Sequence, residues 1–193
     1  FPFYIKQNRV GLHGHIFSMY KFRTMRMNSH ELRDSLDDLV KTLPISEDVN
    51  RPRLWIDRVF AAKGAGTVVT GTLTGGSLKV DDDLELLPQH RQVRVRSLQN
   101  HHEECFDLPP GSRCALNLSG VSHDELTRGD VLVRNGQWHE TTIFDASLRV
   151  LEHLDHSVSR KGAYVLYLGS GEHSVRMRVL GSNELMPGSD GMV

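Results

Sequence analysis

Arg58 is the side chain whose type and spacing ask most directly for a chemical explanation. Successive side chains in a strand point to opposite faces. Counted from Leu54, Ile56 and Phe60, Arg58 falls on the apolar face of the run RLWIDRVF. A guanidinium is always charged and costly to bury unpaired, so it must reach a carboxylate such as Asp130, a cavity or an anionic ligand. Asp57 beside it points to the opposite face, which makes it a weaker candidate for orienting a pocket. Arg128 precedes Gly129-Asp130 in a turn, where an exposed arginine is ordinary. Other clusters carry less. His101-His102 with Glu103, Glu104 and Cys105 has metal-ligating types, but adjacent strand residues point apart and no second ligand pair sits at a zinc-finger distance. A solvated loop and no metal are expected there. His153 and His156 flank Asp155 and also lack partners. Lys63 precedes Gly64, whereas a phosphate-cradling loop needs its lysine after the last glycine, then Ser or Thr and a helix.

The elements that hold these residues read mainly as strands. Val68, Val69, Thr70, Thr72 and Leu73 are β-branched or apolar and suit a pleated surface. Gly64 and Gly66 punctuate a turn before them, and Gly75-Gly76 makes a hairpin corner into Leu78 and Val80. Across residues 53–137 short apolar runs alternate with turn signals such as Pro109-Pro110-Gly111 and Asn135-Gly136. That rhythm predicts a closed antiparallel barrel. Arg94 and Arg96 fall on one face of their strand and Val93 and Val95 on the other; with Arg91 they form a basic stripe, either a solvated outer face or a phosphate contact. Strand candidates follow at 144–151, 162–168 and 175–180. Ahead of the barrel, Leu32, Leu36, Leu39, Val40 and Leu43 recur at helical spacing, with Asn28 and Glu31 as a capping box and Pro44 as a stop.

IDRVFAAKGAGTVVTGTLTGGSLKVDDDLELLP, PGSRCALNLSGV and LTRGDVLV stand in order and at fitting spacing. Together they resemble the second domain of the translational GTPases, and within that superfamily the selenocysteine-specific elongation factors. The resemblance implies a mainly β fold. Residues 53–137 would be the domain II barrel, residues 138–193 a partial domain III barrel, and residues 30–52 the last helix of a GTPase domain plus linker. It also implies a barrel that holds the aminoacyl end of selenocysteinyl-tRNA for delivery to the ribosome. The family's pocket uses arginines to sense a selenol, which is more acidic than a thiol and largely anionic at neutral pH. Arg58 and Arg128 match those positions; Asp57 and His123, the latter between SGV and TRGD, are lesser candidates. GTP and magnesium belong to the family's GTPase domain, and no Walker-type loop or Asn-Lys-x-Asp motif is found here. The chain is therefore expected to use no cofactor and not to be an enzyme, with separate GTPase and mRNA-binding winged-helix domains as possible partners. A general elongation-factor-Tu-like barrel is the alternative.

Residues 1–29 differ in character. They contain Lys6, Arg9, Lys21, Arg23 and Arg26 and no acidic residue, whereas an acidic segment follows. QNRVGLHGHIFSMYKFRTM resembles the bacterial sugar transferases that move a sugar phosphate onto a polyprenyl phosphate. That family's membrane helix and catalytic Asp-Glu pair are missing, and Asp37-Asp38 is only a superficial echo. The segment is expected as a poorly ordered basic arm without transferase activity, a remnant joined to an unrelated body; an inert hybrid product is the remaining reading.

Bulk properties fit this picture. With 193 residues, 38% apolar and 24% charged, the chain can hold one large or two small globular domains. A net charge of −1 confines any RNA contact to local patches. Apolar runs are too short for a membrane span and no secretory leader is visible, so the cytoplasm is expected. Cys105 and Cys114 read as a reduced, buried or half-buried pair.

Overall fold

The computed structural model describes residues 4–10, 16–22, 46–62, 64 and 66–193. The chain divides into two compact units, Phe1–Ile45 and Ser46–Val193. In the first, β1 (Tyr4–Val10) and β2 (Ile16–Phe22) pair antiparallel, from Tyr4 opposite Phe22 to Val10 opposite Ile16. Both strands fall within the stretch that the sequence suggests as a basic arm. The helix expected over 29–43 lies outside the described residues.

The second unit begins with the barrel. Its strands are β3 (Arg53–Ala62), β4 (Gly66–Thr74), β5 (Leu78–Lys79), β6 (Asp83–Leu87), β7 (Arg91–Asn100), β8 (Glu103–Cys105), β9 (Asp107–Leu108), β10 (Arg113–Ser119) and β11 (Val131–Arg134). Neighbours run β10-β4-β3-β11-β6-β7, and β7 pairs again with β10, which closes the ring. Every one of these pairings is antiparallel. Closure removes the unpaired strand edges that would otherwise invite association. The interior is filled by one inward residue in two: Leu54, Ile56, Val69, Leu73, Leu84, Leu86, Val95, Leu98 and Leu116 are fully buried. Val93 and Val95 point in and Arg94 and Arg96 out, as the alternation predicts. The Gly75-Gly76 corner differs from expectation, because β5 leaves β4 and pairs with β9. Close packing is the reason: a Cβ on Gly76 would lie 2.6 Å from the Pro52 nitrogen, so the linker lies across this corner, with Arg51 N donating to the Gly75 carbonyl at 2.9 Å.

Arg51 is held through its side chain as well. Two guanidiniums pack on Trp138, with the Arg51 and Arg53 Cζ atoms 4.5 and 4.4 Å from its ring centroid. Burial, helped by the charge of Arg51, pushes the Arg53 guanidinium below its ordinary value. Cys114 is buried and Cys105 half-buried, both free, and burial pushes the Cys114 thiol up to about 12.

After the barrel come β12 (Ser147–Arg149), β13 (Val158–Ser159), β14 (Tyr164–Leu168), β15 (Gly171–Val175), β16 (Glu184–Leu185) and β17 (Asp190–Met192). They form three separate two-stranded ladders, β12-β17, β13-β16 and β14-β15. A small second core of Val150, Val158, Val179 and Leu185 lies among them. The strand expected at 162–168 is β14. Of the one expected at 175–180, only Val175 is in a strand, as the last residue of β15, and the rest is irregular, with Leu180 N donating to the Met192 carbonyl at 2.8 Å. Among the described residues no helix is long and apolar enough to cross a membrane.

Candidate functional site

Strict alternation fails at Asp57. The β3-β4 register passes from Ile56 opposite Gly71 to Arg58 opposite Thr70, so Asp57 is an extra residue, a bulge. Beyond it the faces exchange. Val59 now stands opposite the buried Val69 and packs on the core, while Arg58 and Phe60, the latter 45% exposed, turn outward. The sequence expectation of Arg58 on the apolar face, and of Asp57 turned away from it, is corrected on this ground. The desolvation cost inferred for Arg58 does not arise. Nor does Arg58 reach Asp130: among the described residues it has no ion pair.

The bulge is held by its own carboxylate. Thr70 Oγ1 donates to Asp57 Oδ1 at 2.5 Å, and an Arg113 Nη donates to Asp57 Oδ2. Partial burial pushes the Asp57 carboxyl up, but the hydrogen bonds from Thr70 and Arg113 and the charges of Arg113 and Arg58 outweigh it and hold it below the ordinary Asp value. Asp57 therefore stays ionised and fixes the backbone from which Arg58 projects. Thr70 and Arg113 went unnoticed in the sequence because only strand register brings positions 57, 70 and 113 together.

Arg128 stands in the turn Thr127-Arg128-Gly129-Asp130, which Asp130 organises from inside. Asp130 is 5% exposed, and its carboxylate accepts from Thr127 N at 2.8 Å, Thr127 Oγ1 at 3.1 Å and Gln89 Nε2 at 3.0 Å. Gly129 supplies φ +100°, a left-handed conformation that L side chains rarely adopt. The turn is sewn to β3 by Gly129 N to the Ile56 carbonyl at 3.0 Å and Ile56 N to the Asp130 carbonyl at 2.8 Å. The loop of Arg128 thus adjoins the bulge that carries Asp57 and Arg58. Arg128 itself is exposed, and its Nε donates to the Ser170 carbonyl at 2.9 Å.

His123 sits elsewhere on the barrel. It opens a short 3₁₀ turn, His123–Glu125, pinned by Ser122 N to Glu125 Oε2 at 2.8 Å and by the ion pair of Glu125 with Arg91. With Arg96, Thr67, Ala61 and Gly120 it lines an open groove of about 530 Å³. Arg58, Asp57 and Arg128 do not line that groove. Arg96 faces it, while Arg91 pairs with Glu125 and Arg94 with Asp81 at 3.2 Å, so the basic stripe divides into two paired arginines and one that faces the groove. The described residues hold no cluster of His, Cys, Asp or Glu fit for a metal, and His101 and His102 form an exposed hairpin turn with φ of 51° and 71°.

The barrel is closed and six-stranded, with a bulged first strand and an Arg-Gly-Asp turn against it. Residues 66–133 match the family described as elongation factor Tu domain 2. In particular, the chain resembles selenocysteine-specific elongation factors. It is 31% identical over 158 residues to that of Desulfomicrobium baculatum, across 82% of this chain and 25% of the relative. It is 37% identical over 106 residues to elongation factor 1-alpha of Pyrobaculum islandicum, across 54% of this chain and 23% of the relative. A crystal structure of a bacterial selenocysteine-specific elongation factor superimposes with a TM-score of 0.67 at 22% identity, over 85% of this chain and 28% of that one, and so shares the fold. The chain thus spans about a quarter of the length of such relatives. Residues 1–56 separately match the bacterial sugar transferase family, a longer stretch than the 1–29 expected.

Proposed function

We propose that this barrel binds the aminoacyl end of selenocysteinyl-tRNA for delivery to the ribosome, with Arg58 and Arg128 reading the selenolate. The observation that carries this reading is the bulge at Asp57, which exposes Arg58 on a rigid strand next to the loop of Arg128. Two guanidiniums present a permanent positive charge and forked donors, which favour a selenolate over a neutral serine hydroxyl. Asp57 acts by orientation: ionised and tied to Thr70 and Arg113, it keeps the bulge in place. Arg96, in the groove that His123 also lines, offers the sugar-phosphate of the same tRNA a positive charge. The role is binding rather than catalysis, with no cofactor in this chain; GTP chemistry and mRNA recognition fall to GTPase and winged-helix partner domains, in the cytoplasm where translation runs.

The test is a binding comparison of the purified chain with selenocysteinyl-tRNA and seryl-tRNA. Losing one charge-assisted contact in Arg58→Ala or Arg128→Ala is expected to weaken selenocysteinyl-tRNA binding by about 10- to 100-fold. Seryl-tRNA binding should barely change. Equal, salt-sensitive binding of both tRNAs, unchanged in the two variants, would reduce the contact to unspecific phosphate attraction. The similarity to elongation factor 1-alpha supports a second reading, a general aminoacyl-tRNA barrel. That reading predicts comparable affinity for tRNAs carrying unrelated amino acids.

A further inference from the structure

We infer that the tip of the β14-β15 hairpin, Gly169-Ser170-Gly171, positions Arg128 and makes Ser170 a determinant of side-chain specificity; this rests on the reading of Arg128 given above. An arginine on an exposed turn has many rotamers, and a guanidinium that must distinguish one anionic atom gains from being held before the ligand arrives. The holding contact is on the far side of the chain. Arg128 Nε donates to the Ser170 carbonyl at 2.9 Å, across 42 residues of sequence. Ser170 is anchored in turn, since its Oγ donates to the Ile56 carbonyl at 2.6 Å. That oxygen also accepts Gly129 N at 3.0 Å. One carbonyl of β3, immediately before the bulge, therefore joins the strand of Arg58, the turn of Arg128 and the tip that grips Arg128.

Two close approaches show that the tip is fitted to this place. A Cβ on Gly129 would lie 2.9 Å from the Gly171 Cα, so the two backbones meet where no side chain fits. Gly169 has φ +60°, and a Cβ there would fall inside the Trp55 indole. The Arg128 contact uses Nε, which leaves the Nη donors for an anionic side chain. Ser170 touches no aminoacyl group in this scheme; it acts through Arg128, and discrimination depends on the hairpin being docked.

Two readouts on the 193-residue chain test this. In the free protein, the Arg128 Nε–H resonance, identified by its loss in Arg128→Lys, is expected to exchange slowly with water. It should join the fast-exchanging arginines in Gly169→Ala, whose methyl group displaces the tip, and in Ser170→Ala. Ser170→Thr, which keeps the hydroxyl, should restore it. In binding, the ratio of selenocysteinyl-tRNA to seryl-tRNA affinity should fall about tenfold in Ser170→Ala, with seryl-tRNA affinity unchanged, and recover in Ser170→Thr. Arg128→Ala combined with Ser170→Ala should do no worse than Arg128→Ala, because both remove one function. Fast exchange of Arg128 Nε–H in the unaltered chain overturns the inference. So does a ratio that survives Ser170→Ala and Gly169→Ala while Arg128→Ala abolishes it, and in that case the reading of Arg128 stands. A ratio that survives Arg128→Ala overturns that reading, and with it the specificity role of Ser170.

Discussion

One extra residue in a strand reverses the facing of every side chain after it, and β3 takes that residue at Asp57. The carboxylate that occupies the bulge is the one that stabilises it, so its ionisation and the exposure of Arg58 are linked. Because its folded value is depressed, Asp57 contributes stability above its ordinary value of 3.8, and that contribution is lost as pH falls through the lower folded value. Asp57→Asn should therefore be less stable than the unaltered chain at pH 7, and the gap should close in acid below pH 3.8; urea midpoints at the two pH values measure it. A gap that persists unchanged in acid would mean that the carboxylate charge does not hold the bulge. The same variant should weaken selenocysteinyl-tRNA binding through the displaced Arg58.

At the scale of elements, the β6-β7 turn carries a second titrating contact. His90, with φ 51°, places Nδ1 2.8 Å from Glu85 Oε1 and Nε2 3.7 Å from Glu140 Oε2. It thereby connects a barrel hairpin to the segment that leaves the barrel. The Glu85 hydrogen bond and the charges of Glu140 and Glu85 raise the imidazole above its ordinary 6.5 against a smaller opposing effect of desolvation. A raised value means the contact is complete below pH 6.5 and is lost as pH rises through the folded value. His90→Asn, which tolerates the left-handed turn, should remove this pH dependence. Imidazole titration by NMR, with melting temperatures at pH 6 and pH 9, provides the check: the unaltered chain should lose more on going to pH 9 than the variant does. Equal losses would show that His90 carries none of the dependence.

For the whole molecule, closure of the barrel around one apolar interior makes its strands interdependent. Leu116, fully buried on β10, stands opposite Val69 of β4 and Leu98 of β7, where the ring closes. Leu116→Ala should cost about 2–5 kcal/mol, from lost burial and the cavity left behind. Denaturant unfolding followed by tryptophan fluorescence measures it, and a cost below about 1 kcal/mol would show that the interior collapses to refill the space. The tip of β14-β15 should detach in the same transition, since Ser170 and Gly169 rest on Ile56 and Trp55 of the barrel.

The one-dimensional pattern settled much of this. Alternation of Val93 to Arg96, the glycine turns and the spacing of short apolar runs specify an antiparallel barrel, because period-two burial is a local property of the chain. Arg58 and Arg128 stand out in the sequence as matches to a family motif. Tertiary structure decided where those arginines point. A bulge depends on the register between two strands, and alternation within one strand carries no trace of it, so Arg58 reads as inward and stands outward. Partners of Asp57 at positions 70 and 113, and the grip of Ser170 on Arg128, are likewise products of folding. They join residues whose separations follow no period, and such contacts exist only once the barrel has closed and the later hairpin has come to rest against it.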